Sequence, residues 1–208
     1  AVVEAPADMF PALWEQNASM AGLQPGESAT VEDMLYGLML PSGADCAIAL
    51  ARYVAGDVEA FVELMNRTAA ALGMSGTHFT NPTGLHDADH YSTARDMTTL
   101  FAHAMRNGTF RTIAGSPSHT MSSASLHDGD LTVDSTVFEE LGTPLVAGGW
   151  IVAGKTGYTP EAGLCLATAA RFGGRTYILV TAGAPGDHAT SQADADDARY
   201  VYGQIPGL

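Results

Sequence analysis

Lysine is almost missing from this sequence. The 208 residues carry 9 Lys plus Arg against 23 Asp plus Glu, a net charge of -14. All but one of the cations are arginines, and the exception is Lys155. A chain this poor in cations has no basic face for phosphate contacts, which excludes nucleic acid as a partner. It also excludes electrostatic adhesion to anionic lipid, and the acidic balance reads as solubility. Long apolar runs are missing too. "LCLATAA" and "TYILVTAGA" fall well short of the roughly 20 residues that a membrane-spanning helix needs. The N-terminus "AVVEAPADMF" has neither a basic stretch nor a continuous apolar one, so no signal peptide is expected within it. A mature secreted protein has the same appearance. Cysteine is scarce: Cys46 and Cys165 form no CxxC motif. Both sit in apolar surroundings and read as buried free thiols, which leaves the redox compartment open.

What is present is apolar material: 46% of the residues are hydrophobic and only 15% charged. That is enough for a sizeable core and excludes disorder. No internal repeat or low-complexity linker interrupts the chain. "AGLQPGES" reads as a turn region. "TVEDMLYGLML" follows as a helix with Thr30 as N-cap, ended by Pro41. "SGADCAIALARYVAG" predicts a second helix with Ser42 at its N-terminal edge. "DVEAFVELMNRTAAALG" predicts a third, from Asp57 to a stop at Gly73. "STARDMTTLFAHAMRNG" predicts a fourth, opened by Ser92 or Thr93 and closed near Gly108, and "TVFEELG" a short fifth. The style then changes. "GWIVAGKTG", "GLCLATAARF" and "RTYILVTAGA" read as strands, with "FGGR" as a tight hairpin turn between the last two. "HATSQADADDARYVYGQI" closes the chain as a helix. Helices, then an antiparallel sheet, then a helix make an α+β fold, a helical lobe over about 22–145 and a sheet with a C-terminal helix over about 146–208.

Two short constellations carry chemistry. Lys155-Thr156-Gly157 follows an apolar strand. A lysine at a sheet edge presents a fixed positive charge, the adjacent threonine offers a hydroxyl, and glycine lets a ligand backbone approach. Together they suit a peptide-like substrate ending in a carboxylate. Ser42-Gly43 at a helix start is the second; taken alone it is an N-cap serine. "HDADH" places His86, Asp87, Asp89 and His90 within reach of one another, chemically fit for a metal, and a polar loop is the competing reading.

"TVEDMLYGLMLPSGADCAIALARYVAG", "FVELMNRTAAALGMSGTHFTNPTGLHDADHYSTARDM" and "GKTGYTPEAGLCLATAA" resemble, in the same order, the D-alanyl-D-alanine carboxypeptidases, the low-molecular-weight penicillin-binding proteins. The resemblance runs from about Gly22 to about Ala184. It implies a penicillin-binding-protein/β-lactamase-like transpeptidase fold with its N-terminal part missing. The family's chemistry uses three motifs, S-x-x-K, S-x-N and K-T-G. By resemblance Ser42 is the proton-relaying serine of the second, and Lys155, Thr156 and Gly157 are the third, which binds the substrate's terminal carboxylate. The backbone N–H of Tyr158 is implied as an oxyanion donor. The family carries a loop like "HDADH" without metal, so neither a metal nor another cofactor is expected.

The sequence departs from the pattern twice. Ala44 stands where the family has asparagine. S-x-x-K is absent, because the sole lysine would need a serine at position 152, which is Val152. "NASMAGL" is not a degenerate copy, since Gly22 stands where its lysine would be. The expected reaction is serine-type removal of terminal D-Ala from peptidoglycan stem peptides, outside the cytoplasm, with β-lactams as further ligands. The nucleophile would come from a segment outside this chain, and the chain alone would be inactive. One alternative is a non-catalytic relative that binds wall peptides or β-lactams. The other is a metal-dependent hydrolase using "HDADH". Without the nucleophile helix, Leu35, Leu38 and Ile48 are expected to need cover. A second chain, a swapped segment or a rearranged "VVEAPADMFPALW" would supply it.

Overall fold

The computed structural model describes residues 1–127, 130–187, 190 and 192–205. The chain opens with strand β1 (Val2–Glu4), a 3-10 turn (Ala7–Met9) and helix α1 (Phe10–Glu15). Strand β2 (Ser28–Thr30) pairs antiparallel with β1 and leads directly into α2 (Val31–Met39). The Thr30 hydroxyl caps α2 by accepting from the Asp33 N–H. Helix α3 spans Ala44–Ala55 and α4 Val58–Ala71, the latter capped by Asp57. Thr93 rather than Ser92 caps α5 (Ala94–Ala104). That helix ends before Gly108, because Asn107 starts a separate helix, α6 (Gly108–Ala114), by accepting from the Phe110 N–H. The expected helix therefore closes at Ala104, a few residues short of Gly108, and α6 beyond it is a helix that the sequence reading did not include.

A hairpin of β3 (Ser118–Met121) and β4 (Leu131–Asp134) precedes α7 (Thr136–Leu141). Then comes an antiparallel sheet in the order β5 (Leu145–Val146), β6 (Gly149–Thr159), β7 (Gly163–Phe172), β8 (Arg175–Ala184). Helix α8 (Ala193–Gly203) follows. His188, Ala189 and Ser191, placed at the start of the last helix by the sequence, lie outside the described residues.

The sheet is covered on both faces. Val137 and Leu141 of α7 and Ala198 and Tyr202 of α8 pack on one face, against Ile151, Leu166 and Phe172. Phe101 of α5 and Ala114 at the end of α6 pack on the other, against Ala153 and Ala169. Alternation separates the two sets along β7, where Leu166 and Phe172 face one way and Ala169 the other; along β6 a bulge between Ile151 and Ala153 turns these two residues to opposite faces. Gly154 lets α7 sit close: a Cβ there would lie 2.9 Å from both the Ala167 carbonyl oxygen and Val137 Cγ1. The largest core joins α2 and α3 to the N-terminal segment. Val3, Met9, Phe10 and Leu13 are buried in one cluster with Met34, Leu40, Cys46 and Leu50. Leu35, Leu38 and Ile48 are half-buried against that cluster rather than exposed. "VVEAPADMFPALW" thus covers part of this helical surface.

Two buried carboxylates tie the β3–β4 region to α2 and β2. Asp33 accepts from Ser123 and pairs with His119 at 2.6 Å, and His119 stacks on Tyr36. Glu27 accepts from the Leu126 N–H at 2.8 Å and meets His127 at 2.9 Å. Burial alone would raise both carboxyls. The hydrogen bonds outweigh it and hold both below the usual carboxylate range. Among the described residues, no helix is long and apolar enough to cross a membrane.

Candidate active site at the edge of the sheet

Ser42 lies in the tight turn after Pro41, where α2 hands over to α3. It is not the helix cap, which is Gly43, and its φ is +61°, a left-handed value that serine rarely adopts. Such a conformation costs on the order of 1–3 kcal/mol and persists only where the surroundings fix it. Here the Gly43 N–H donates to the Gly37 carbonyl at 3.0 Å, and the Ala44 N–H to the Ser19 carbonyl at 2.8 Å. Asp45, fully buried, accepts from the N–H groups of Ala21, Gly22, Leu23 and Cys46 at 2.9–3.2 Å. These bonds pin residues 19–23 to the start of α3 and lock the turn. Gly43 has no room for a side chain: a Cβ would lie 2.6 Å from the Gly37 carbonyl oxygen and 2.7 Å from Asp45 Oδ1.

Lys155 reaches Ser42 from β6. Its Nζ donates to Ser42 Oγ and, at 2.9 Å, to the Thr156 carbonyl. Burial pulls the ammonium down to about 8, with Glu140 of α7 opposing the shift. Glu140 moves the other way. Burial raises it to about 7, helped by Asp194 and opposed by Lys155. Its Oε2 is buried without a hydrogen-bond partner.

Beyond β5, the free edge of β6 faces a cavity of about 300 Å³. Ser42 and Ala44 line it from the helical side, Thr83, Gly84 and Leu85 from the long loop after α4, and Lys155 through Thr159 from the strand. Among the described lining residues Lys155 alone is charged. Thr136, the first residue of α7, also lines the cavity, with its Oγ1 2.5 Å from Thr156 Oγ1. A Cβ on Gly157 would meet only Cys165 Cβ, at 3.9 Å, so packing does not demand glycine there.

All five residues singled out in the sequence, Ser42, Lys155, Thr156, Gly157 and Tyr158, therefore line one cavity. Its other walls were not readable in advance. Thr136 and Leu85 carry no local motif, because what matters about them is a contact distant in sequence. Cys46 is buried and free. Cys165, expected to be buried as well, is half-buried at the cavity wall.

The "HDADH" residues turn to separate partners. His86 faces Glu161 at 3.9 Å, the Asp87 carboxylate accepts from the Asp89 N–H at 2.8 Å, and His90 Nδ1 accepts from the Thr80 N–H at 3.1 Å. Among the described residues, no three His, Cys, Asp or Glu side chains are grouped as a metal holder.

A cavity whose described lining holds one cation, hydrogen-bonded to a serine on a strained turn beside a strand edge, has the convergent polar groups expected of a candidate active site. The family model described as D-alanyl-D-alanine carboxypeptidase matches residues 7–186, and the chain belongs to this family. A D-alanyl-D-alanine carboxypeptidase from a Streptomyces strain is 38% identical over 166 residues, 77% of this chain and 56% of the relative. The Bacillus subtilis D-alanyl-D-alanine carboxypeptidase DacF is 36% identical over 174 residues, 82% of this chain and 43% of the relative. The chain thus spans about half the length of these curated relatives. Among solved structures, the Streptomyces DD-transpeptidase superposes with a TM-score of 0.82 at 32% identity, covering 98% of this chain and 78% of that one. A Mycobacterium tuberculosis D-alanyl-D-alanine carboxypeptidase gives 0.79 at 28% identity, covering 99% and 75%. The α+β expectation and the transpeptidase-like fold agree with these structures.

Proposed function

We propose that this chain forms the substrate-binding wall of a serine D-Ala-D-Ala carboxypeptidase that trims peptidoglycan stem peptides outside the cytoplasmic membrane. The observation that carries the reading is the Lys155–Ser42 hydrogen bond in the lining of a cavity with one positive charge among its described residues. Lys155 supplies the charge for a single terminal carboxylate, and Thr156 a hydroxyl beside it. Ser42 accepts its hydrogen bond from Lys155, which leaves its own hydrogen to donate into the cavity. That suits it to pass a proton to the leaving D-Ala nitrogen.

Backbone alternation supports the role of Tyr158. In a strand, the N–H and C=O of one residue point to the same edge, and successive residues alternate. The Thr156 carbonyl meets Lys155 Nζ, and the Leu166 carbonyl opposite accepts from Thr181 of β8. Both observations turn Thr156, and hence Tyr158, toward the cavity edge. An N–H there suits a developing oxyanion.

The attacking serine and its lysine, S-x-x-K, do not occur in these 208 residues and belong, in this reading, to a preceding segment or a second chain. The serine oxygen bonds to the penultimate D-Ala carbonyl carbon, the C–N bond breaks, and D-Ala leaves with the proton. Water then opens the acyl-enzyme. β-Lactams would enter the same cavity. The test is release of D-Ala from an acyl-D-Ala-D-Ala peptide by the protein together with its S-x-x-K segment. Release that falls on Ser42→Ala supports the reading, and release unchanged by Ser42→Ala refutes the site. The absence of an amide at Ala44, a residue of the cavity lining, favours a second reading, a binder without turnover. Saturable peptide binding with no D-Ala release would decide for it.

A further inference from the structure

Thr136 and Thr156 come from elements distant in sequence and share one hydrogen bond. Their hydroxyl oxygens are 2.5 Å apart, and Thr136 Oγ1 also lies 3.3 Å from the Leu40 carbonyl oxygen. That carbonyl belongs to the C-cap residue of α2, two residues before Ser42. It accepts a second donor as well, the Thr136 backbone N–H at 3.2 Å.

A hydroxyl has one hydrogen and two acceptor sites. If Thr136 gives its hydrogen to the Leu40 carbonyl, the short contact must be Thr156 donating to Thr136. In that arrangement Thr156 has no hydrogen left for a ligand. A carboxylate beside Thr156 reverses the order: Thr156 donates to the carboxylate and accepts from Thr136. The reversal gives up only the longer contact, 3.3 Å, and the Leu40 carbonyl keeps the amide donor. No buried polar group is orphaned in either arrangement, and orphaning is the usual obstacle to rewiring a site.

We infer that Thr136 is a positioning residue for substrate binding: its hydroxyl accepts from Thr156 in the empty site and donates to Thr156 when a carboxylate arrives. Thr136 thereby holds the Thr156 rotamer and makes its hydrogen available to the substrate. This rests on the proposed role of Thr156 in carboxylate recognition.

The test uses the full-length protein acting on an acyl-D-Ala-D-Ala peptide, and release of D-Ala by the parent protein checks the underlying reading separately. Thr136→Val keeps the side-chain shape and the amide donor and removes the hydroxyl. It should raise KM roughly three- to tenfold, the worth of one hydrogen bond, and change kcat by less than about twofold. Thr136→Ser should return KM toward the parent value. Thr136→Cys, a weak hydrogen-bonder of serine's size, should behave like the valine variant and covers the case in which valine disturbs folding. In a Thr156→Val background, Thr136→Val should have no further effect. A second readout needs no activity. The Thr156 side-chain χ1, from NMR couplings in the free protein, should become rotamer-averaged in Thr136→Val. An unchanged KM in both the valine and cysteine variants, or a Thr156 rotamer that stays fixed, overturns the inference even if the parent enzyme releases D-Ala.

Discussion

Ser42 and Lys155 are 113 residues apart in sequence, yet their side chains are hydrogen-bonded to each other. The first is held by a locked left-handed turn and the second by a strand edge. The contact joins the helical part of the molecule to the sheet.

Replacing Lys155 by alanine in the full-length protein should remove a charge-assisted hydrogen bond to the substrate carboxylate, about 1.5–3 kcal/mol. Steady-state kinetics on an acyl-D-Ala-D-Ala peptide should show kcat/KM lower by roughly one to two decades. Arginine should not restore it, because a broad planar fork does not fit where a compact ammonium meets Ser42.

The pH dependence follows from burial. Lys155 loses its proton near pH 8, so carboxylate binding should be constant below that and weaken as pH rises through it. KM measured from pH 6 to 10 gives the answer. The same shift has a sign for stability. Between about 8 and the normal lysine value the unfolded chain binds more protons than the folded one, so this group makes stability rise with pH there.

Glu140 contributes in the opposite sense. Its folded value is raised to about 7, so its stabilising contribution is complete below the normal glutamate value. It is lost as pH rises through about 7. Glu140→Gln removes the ionisation. Its Tm relative to the parent should therefore be more favourable at pH 8 than at pH 5. An equal difference at both values would mean that Glu140 does not titrate in this range.

Much of this was legible in the sequence, for identifiable reasons. Thr30, Asp57 and Thr93 are side-chain caps followed by helical periodicity, a local signal, and all three cap helices. The three long strands were readable as apolar runs bounded by glycines, with "FGGR" as the turn between the last two. The β1–β2 and β3–β4 pairs were not, because strands of three or four residues carry too little pattern and depend on partners such as Asp33 and Glu27. At the site, Lys155 stood out by composition as the sole lysine, and the roles of Ser42, Thr156 and Gly157 came from the family resemblance. Thr136 and Glu140 did not stand out, since each acts through a contact made only after α7 docks on β6.

Gly43→Ala tests whether the turn matters. With backbone and Asp45 atoms closer than 2.8 Å to the new Cβ, the chain must shift, at a cost of about 1–3 kcal/mol. Chemical denaturation should register that loss. Because Ser42 is the adjacent residue, D-Ala release should fall by more than the unfolded fraction accounts for.

The assignment of Ser42 as a relay rather than a nucleophile is the centre of the account, and penicillin labelling tests it most directly. Intact-mass and peptide mass spectrometry of the full-length protein after penicillin treatment should locate one acyl adduct on the serine of an S-x-x-K motif. The 208-residue chain treated alone should remain unmodified. A stoichiometric adduct mapped to Ser42 would contradict the account.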